Sequence, residues 1–307
     1  MPHADFCGTV ADMNAAVALS RLGGSANHAE LVEAVGRAAV RRALTQDSIR
    51  RDGRGTYRLP EVDDARLAAV RLHGALALTS AALAHGWKVK DVPPRPIVCV
   101  LPGRSIVTDP RGRAAVRRGQ LSQAEVEARV TDPVRTVIEC ARFLPFDEAL
   151  AVADSALRAR DVGHRELLDA AERSPRTGRA KAIRVVSAAS ELAANPMESV
   201  LRAICLEIPG LTIVPQVWVS PSERVDLADP SRGLVVEAES YEFHGTRDRY
   251  LRDVRRYTEL VRAGWVVLRF PWEDIMLCPA DVRAVIVDVL RRTPERAQSL
   301  RVHDKSA

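Results

Sequence analysis

Residues 15–22 carry apolar side chains at helical spacing, and Gly23, Gly24 and Ser25 break the run. A second short helix is predicted over 27–34, and Gly36 separates it from a third over 37–44. Residues 48–59, SIRRDGRGTYRL, then place strand-type residues around Asp52-Gly53, a strong hairpin signal. The stretch 65–85 is apolar and helix-rich, Pro93-Pro94 makes a stop, and IVCVL at 97–101 reads as a short strand. Helices follow over 133–143, 146–158, 164–172 and 180–193. In the last third the order becomes helix, strand, strand, strand, helix, strand, helix. Those elements fall at 196–207, 212–219, 224–228, 234–238, 246–263, 265–270 and 280–292. The tail after Thr293 is polar, and there is no internal repeat.

This pattern divides the 307 residues into three expected domains: 1–60, 61–191 and 192–307. Helix, turn, helix and basic hairpin is the layout of a winged helix-turn-helix. The middle part is expected to be a mainly helical connector with a short sheet, and the last part an α/β layer. An apolar fraction of 47% suffices for a sizeable core. The net charge of +5 favours an anionic partner without proving one. Five dispersed cysteines with no CxxC pair argue against a zinc ribbon and against a disulfide scaffold. No signal peptide is visible, and no apolar run approaches the roughly 20 residues of a membrane span. The expectation is a cytoplasmic protein with no membrane association.

The chemistry concentrates in 224–245, RVDLADPSRGLVVEAESYEFHG. Asp226 sits in one strand, and a turn through Pro230 and Gly233 returns the chain into a second strand that carries Glu237. Carboxylates on neighbouring strands can project to one spot, and hard oxygen ligands of that kind hold Mg²⁺. A metal there polarises a phosphodiester and lowers the pKa of a bound water. Glu237 and Glu239 are two apart and share one side of an unbroken strand. Three acids on one face repel each other without a cation, or one of them has a raised pKa. His244 follows shortly and is suited to proton transfer near pH 7. Glu198 can reach the metal from the preceding helix, although Asn195-Pro196-Met197-Glu198 is equally a capping box. Arg255 and Arg256 on the later helix are candidate phosphate clamps.

Several pieces in this order resemble the very-short-patch-repair-like endonuclease domain of the PD-(D/E)XK group. They are Pro196-Met197-Glu198-Ser199, Arg224-Val225-Asp226-Leu227, Val236-Glu237-Ala238-Glu239 with His244, and Gly264-Trp265-Val266-Val267-Leu268-Arg269-Phe270. The resemblance covers the last third and implies an αβββαβ core. It implies metal binding, Mg²⁺ or Mn²⁺, by Asp226, Glu237 and Glu198, with catalytic roles for these and for Glu239 and His244. The lysine position of the wider group, two after the second acid, holds Glu239 here, and the repair-type branch also lacks that lysine. The first part resembles the winged-helix domain of AbiEi-type antitoxins through Ala29-Glu30-Leu31, Val40-Arg41-Arg42-Ala43-Leu44 and the wing 50–57. Residues 131–137, TDPVRTV, also look like these chains. That resemblance implies double-stranded DNA as partner. Arg37, Arg41 and Arg42 would lie on the recognition helix, with Arg50, Arg51 and Arg54 on the wing.

Two functions follow from these residues. One is a metal-dependent DNA endonuclease. The other is a non-catalytic DNA-binding regulator or type IV antitoxin, with a toxin as protein partner and the nuclease-like fold as a binding surface.

Overall fold

The computed structural model describes residues 15–21, 25–51, 55–59, 64–103, 114–239, 247–293 and 302. Mixed α/β structure is distributed over two compact units, 1–85 with 92–132 and 86–91 with 133–307. The segment expected as a connector is thus shared between the two. Among the described residues no helix is long and apolar enough to cross a membrane.

The first unit opens with α1 (Ala15–Arg21), β1 (Ser25–Asn27), α2 (His28–Thr45), β2 (Arg50–Arg51) and β3 (Thr56–Arg58). Helix α2 is two helices in one. Gly36 sits inside it at φ 76°, a left-handed conformation that glycine adopts without steric cost, and the chain turns there. Asn27 caps the first half, accepting a hydrogen bond from the Glu30 amide while the Glu30 carboxylate accepts from the Asn27 amide, both at 3.0 Å. The strands pair antiparallel in the order β1-β3-β2. Leu19, Leu31, Val40, Ile49 and Tyr57 close a small core between helices and sheet. Beyond it come α3 (Asp64–Arg71), β4 (Ala75–Leu76), α4 (Leu78–Ala84), β5 (Ile97–Val100), β6 (Ala115–Arg118) and α5 (Gln123–Ala128). The apolar stretch 65–85 is therefore divided by a strand that its periodicity does not announce. Gly74 marks the place: a Cβ there would lie 2.2 Å from the Cys99 carbonyl oxygen, so only glycine lets β4 close on β5.

The second unit begins with α6 (Pro133–Phe143), α7 (Phe146–Ala159), α8 (His164–Arg173) and α9 (Arg179–Ala188), which pack on one another. α9 ends before the expected 193, because the Asp154 carboxylate takes the Ser190 amide at 2.8 Å and Ala189 is already extended. Next come α10 (Pro196–Leu206), β7 (Val214–Trp218), β8 (Arg224–Asp229), β9 (Leu234–Glu239), α11 (Arg247–Arg262), β10 (Val266–Pro271), α12 (Trp272–Leu277) and α13 (Pro279–Arg292). The sheet order is β10-β9-β8-β7; β7/β8 and β8/β9 are antiparallel, and β9/β10 is parallel. A parallel neighbour needs a crossover, and α11 supplies it. One face of the sheet packs on α10, α12 and α13 through Val200, Leu201, Leu227, Val236, Ile275 and Ile286. The other packs under α11 through Val225, Ala228, Val235, Leu260 and Trp265. Covered on both sides, β9 reads Leu-Val-Val with no exposure at all.

Helix α10 is fixed from two sides. Its apolar stripe meets the sheet, and its Arg202 donates two hydrogen bonds to Asp154 of α7, at 2.7 and 2.6 Å. Both partners of this ion pair are buried. This rigid seat holds the amino end of α10, and with it Glu198, against the sheet.

Candidate acid centre

Asp226 lies where the β8–β9 ladder ends and the β7–β8 ladder skips a step. Toward β9 the pairing runs from Asp229↔Leu234 to Leu227↔Val236 and ends one step before Asp226 and Glu237 would face each other. Toward β7 the pairs Pro215↔Leu227 and Val217↔Val225 leave Gln216 and Asp226 as an unpaired step between them. The interruption resets the faces. Val225 and Ala228 sit in the same core although they are three apart, whereas an unbroken strand sends such a pair to opposite sides. The Asp226 carboxylate occupies the gap, accepting from the Ala238 amide of β9 at 3.0 Å and lying 3.5 Å from Gln216 Nε2.

Gln216 is the residue that the sequence did not single out. Its backbone has φ 54°, a left-handed conformation inside a strand. Its Nε2 donates to Glu198 Oε2 at 3.0 Å and faces Asp226 Oδ1. Nothing in the local pattern PQVW signals this turn of the backbone.

At Glu198 the capping half of the sequence reading is met in part: Asn195 caps the helix, but the Glu198 carboxylate does not return to the Asn195 backbone amide. Asn195 accepts from the Glu198 amide at 3.0 Å, and the Glu198 carboxylate accepts from the Ala194 amide at 2.8 Å and the Asn195 side-chain amide at 2.9 Å. Asn195 thus caps α10, and the Glu198 carboxylate is brought, through Gln216, beside Asp226. Burial pushes the Glu198 carboxyl above its ordinary range, opposed by the Ala194 hydrogen bond. Asp226 is pushed up to about 7, first by burial and then by the Glu198 charge, with a further contribution from Glu237. The Ala238 amide and Arg256 act the other way. A carboxyl that titrates near neutrality exchanges a proton with water readily at working pH.

Glu237 is buried and turned toward α11. Arg256 grips both its oxygens, with Nη1 at 3.2 Å from one, and the Tyr257 hydroxyl donates at 2.6 Å. Arg256 also reaches Glu223 at 3.0 Å and the Arg224 carbonyl at 3.2 Å. Burial works against the guanidinium charge, but the bonds to Glu237 and its charge outweigh this and hold the Arg256 pKa above normal. Tyr257 is held un-ionised by burial and by the neighbouring Glu237 charge. Glu239 shares the Tyr257 hydroxyl at 3.1 Å, as its two-residue spacing from Glu237 predicts, and is paired with Arg269. Arg269 stacks 3.7 Å above the Tyr257 ring centroid and also bonds Asp253 at 3.0 Å.

Oxygen donors for a hard cation are thus present as the pair Glu198 and Asp226, and one or two protein carboxylates are what Mg²⁺ takes along with water. The oxygens of those two residues are of the kind such an ion takes, and the Glu198 charge is, after burial, the second cause of the raised Asp226 pKa. Glu237 fits only after release from Arg256. Among the described residues no three His, Cys, Asp or Glu side chains converge as a ready-made ligand set. Asp229, another buried strand acid, has a different task. It accepts from the Thr212, Ser231 and Arg232 amides at 2.9, 3.0 and 3.2 Å, and so fastens the β8–β9 turn.

Beside the centre an open groove of about 860 Å³ runs between the β7–β8 turn and α11, lined by Arg252, Arg255, Arg256 and Arg262 among others. Arg255 is exposed there, whereas Arg256 is engaged with Glu237. In the first unit Arg37, Arg41, Arg42, Arg50 and Arg51 are all exposed. Arg50 pairs with Asp47 at 3.5 Å, and Arg51 lies 5.9 Å from the Tyr57 ring centroid. His244 and Arg54 lie outside the described residues.

No family model matches the chain. Over 256 residues it is 29% identical to two Mycobacterium tuberculosis proteins, Uncharacterized protein MT2308 of strain CDC 1551 / Oshkosh and Uncharacterized protein Rv2248 of strain H37Rv; the match spans 78% of this chain and 91% of each relative. Among solved structures, the crystal structure of RV2827C protein from Mycobacterium tuberculosis aligns at 13% identity with a TM-score of 0.32, covering 60% of this chain and 80% of that one.

Proposed function

We propose that this is a DNA-binding protein whose second unit carries a PD-(D/E)XK-type endonuclease centre dependent on Mg²⁺ or Mn²⁺. The observation that supports it most directly is the meeting of Glu198 from α10 and Asp226 from β8 through one amide, at the step where the sheet opens and beside Glu237 of β9. Helix α10, the antiparallel strands β7–β9, the crossover helix α11 and the parallel strand β10 follow the αβββαβ order that the resemblance implies. A divalent ion at Asp226 and Glu198 would supply Lewis-acid activation of the phosphate and of water. The chain's own part is to present these oxygens on a rigid seat and to hold their surplus charge in a partly buried site.

DNA as the partner is supported by the first unit. Its helix–Gly36–helix segment and the sheet order β1-β3-β2 are compatible with the winged helix-turn-helix expected from the sequence, with Arg37, Arg41 and Arg42 exposed on the second half of α2 and Arg50 and Arg51 exposed on β2. The deciding assay is nicking of supercoiled plasmid and of mismatched duplex with Mg²⁺ or Mn²⁺. Activity in the wild type that is lost in Asp226→Ala is the expected result. No cleavage of either DNA with either metal removes the nuclease reading.

One observation favours the non-catalytic alternative, a DNA-binding regulator or antitoxin with a protein toxin as partner. The buried Glu237 is already neutralised by Arg256 and hydrogen-bonded by Tyr257, as in a purely structural ion pair. Sequence-specific promoter binding that survives Asp226→Ala, with no metal-dependent cleavage, would select that reading.

A further inference from the structure

We propose that Gln216 is a positioning residue of the acid centre, its amide joining the carboxylates of Glu198 and Asp226 into one oxygen-donor pair. This rests on the reading of the centre as a cation-dependent one.

Three observations meet at Gln216. Its backbone takes φ 54°, which residues with a side chain seldom adopt and which persists where surrounding structure imposes it. It forms no rung with β8, although Pro215 and Val217 on either side of it do. Its Nε2 lies 3.0 Å from Glu198 Oε2 and 3.5 Å from Asp226 Oδ1, so one donor serves two acids that otherwise repel. A strand residue kept only for pairing would be extended and on the ladder. A residue kept only for packing would not aim an amide at two carboxylates. The left-handed turn carries the side chain off its regular alternation and toward the amino end of α10. Groups that orient metal ligands in this way commonly change affinity by about 10- to 100-fold when removed.

The test measures Mn²⁺ binding to the full chain from the paramagnetic resonance signal of the free ion. It compares wild type, Asp226→Ala, Gln216→Leu and Gln216→Gly. Leucine removes the donor at similar size. Glycine removes the donor but suits the left-handed backbone, so it separates positioning from strain. The expected result is binding by wild type that Asp226→Ala abolishes and that both Gln216 variants weaken about 10- to 100-fold. The glycine variant should keep its fold by thermal melting. If binding depends on Asp226 while both Gln216 variants match wild type within about twofold, an affinity difference too small for a ligand-orienting group, the role given to Gln216 is overturned and the centre itself stands. If wild type shows no binding that depends on Asp226, both fall together. Should Gln216→Leu fail to fold, Gln216→Gly alone decides between these outcomes.

Discussion

Replacing Asp226 by Asn should make the second unit more stable while abolishing the proposed metal-dependent cleavage. In the fold the Asp226 carboxyl is pushed from 3.8 up to about 7, by burial first and then by the Glu198 charge. A shift of about three pH units corresponds to about 4 kcal/mol against the ionised form. The side chain keeps some access to water, which screens part of that, so about 2 kcal/mol is the working figure. The sign follows from the raised folded-state pKa. Well below pH 3.8 the carboxyl is protonated in both states and there is no penalty. From there to about pH 7 the unfolded chain loses its proton while the folded one keeps it, so stability falls as pH rises. Above about 7 the full penalty stands.

Asn keeps the shape and retains an oxygen for the Ala238 amide, and gives up only the 3.5 Å contact with Gln216 Nε2, where its own amide nitrogen would stand. The variant should therefore gain about 2 kcal/mol at pH 8, or about 4–8 °C in Tm for a unit of this size. Near pH 4 the two proteins should be about equally stable. All four tryptophans, Trp87, Trp218, Trp265 and Trp272, belong to the second unit, so intrinsic fluorescence in a thermal or urea series reports on it selectively. Mg²⁺ should raise the wild-type Tm and leave the variant unchanged, because ligand binding to the folded state stabilises it. A variant no more stable than wild type at pH 8, or a gain of the same size at pH 4, would refute the proposed excess of charge at Asp226.

Other consequences are equally direct. Asp154→Ala should cost about 3–5 kcal/mol by urea denaturation, because it strands the buried Arg202 charge, whereas joint replacement of Asp154 and Arg202 by apolar residues should cost far less. Asn195→Ala removes the cap of α10 and should cost about 1 kcal/mol, with a loss of Mn²⁺ affinity because Glu198 loses its side-chain partner. Duplex binding followed by fluorescence anisotropy should weaken uniformly across sequences in Arg41→Ala or Arg42→Ala. If either arginine contacts a phosphate, the slope of log K against log salt should also fall by about 0.9.

Much of the second unit is legible along the chain. The apolar stripe of α10, the Leu-Val-Val run of β9 and the amphipathic α11 are local periodicities, and a helix or strand follows from them whatever they pack against. The acids Asp226 and Glu237 stand out because charged residues are depleted in strands, and Asn195-Pro196 announces the start of α10 by cap chemistry alone. Gly36 likewise marks the break in α2, since a left-handed backbone there asks for glycine.

Other features arise only when distant segments meet. β4 forms against β5, which Gly74 lets approach, and α9 stops because Asp154 claims the Ser190 amide; in each case the partner lies far along the chain. The sequence itself determined most of the helices and strands of the second unit and which acids enter the sheet, because periodicity and cap chemistry act over a few residues. Tertiary structure alone decided which cation faces Glu237, where the β7–β8–β9 ladders part, and that Gln216 turns left-handed to face both Glu198 and Asp226. Those outcomes depend on through-space Coulomb interactions and on hydrogen bonds between segments far apart in the chain, which no local pattern encodes.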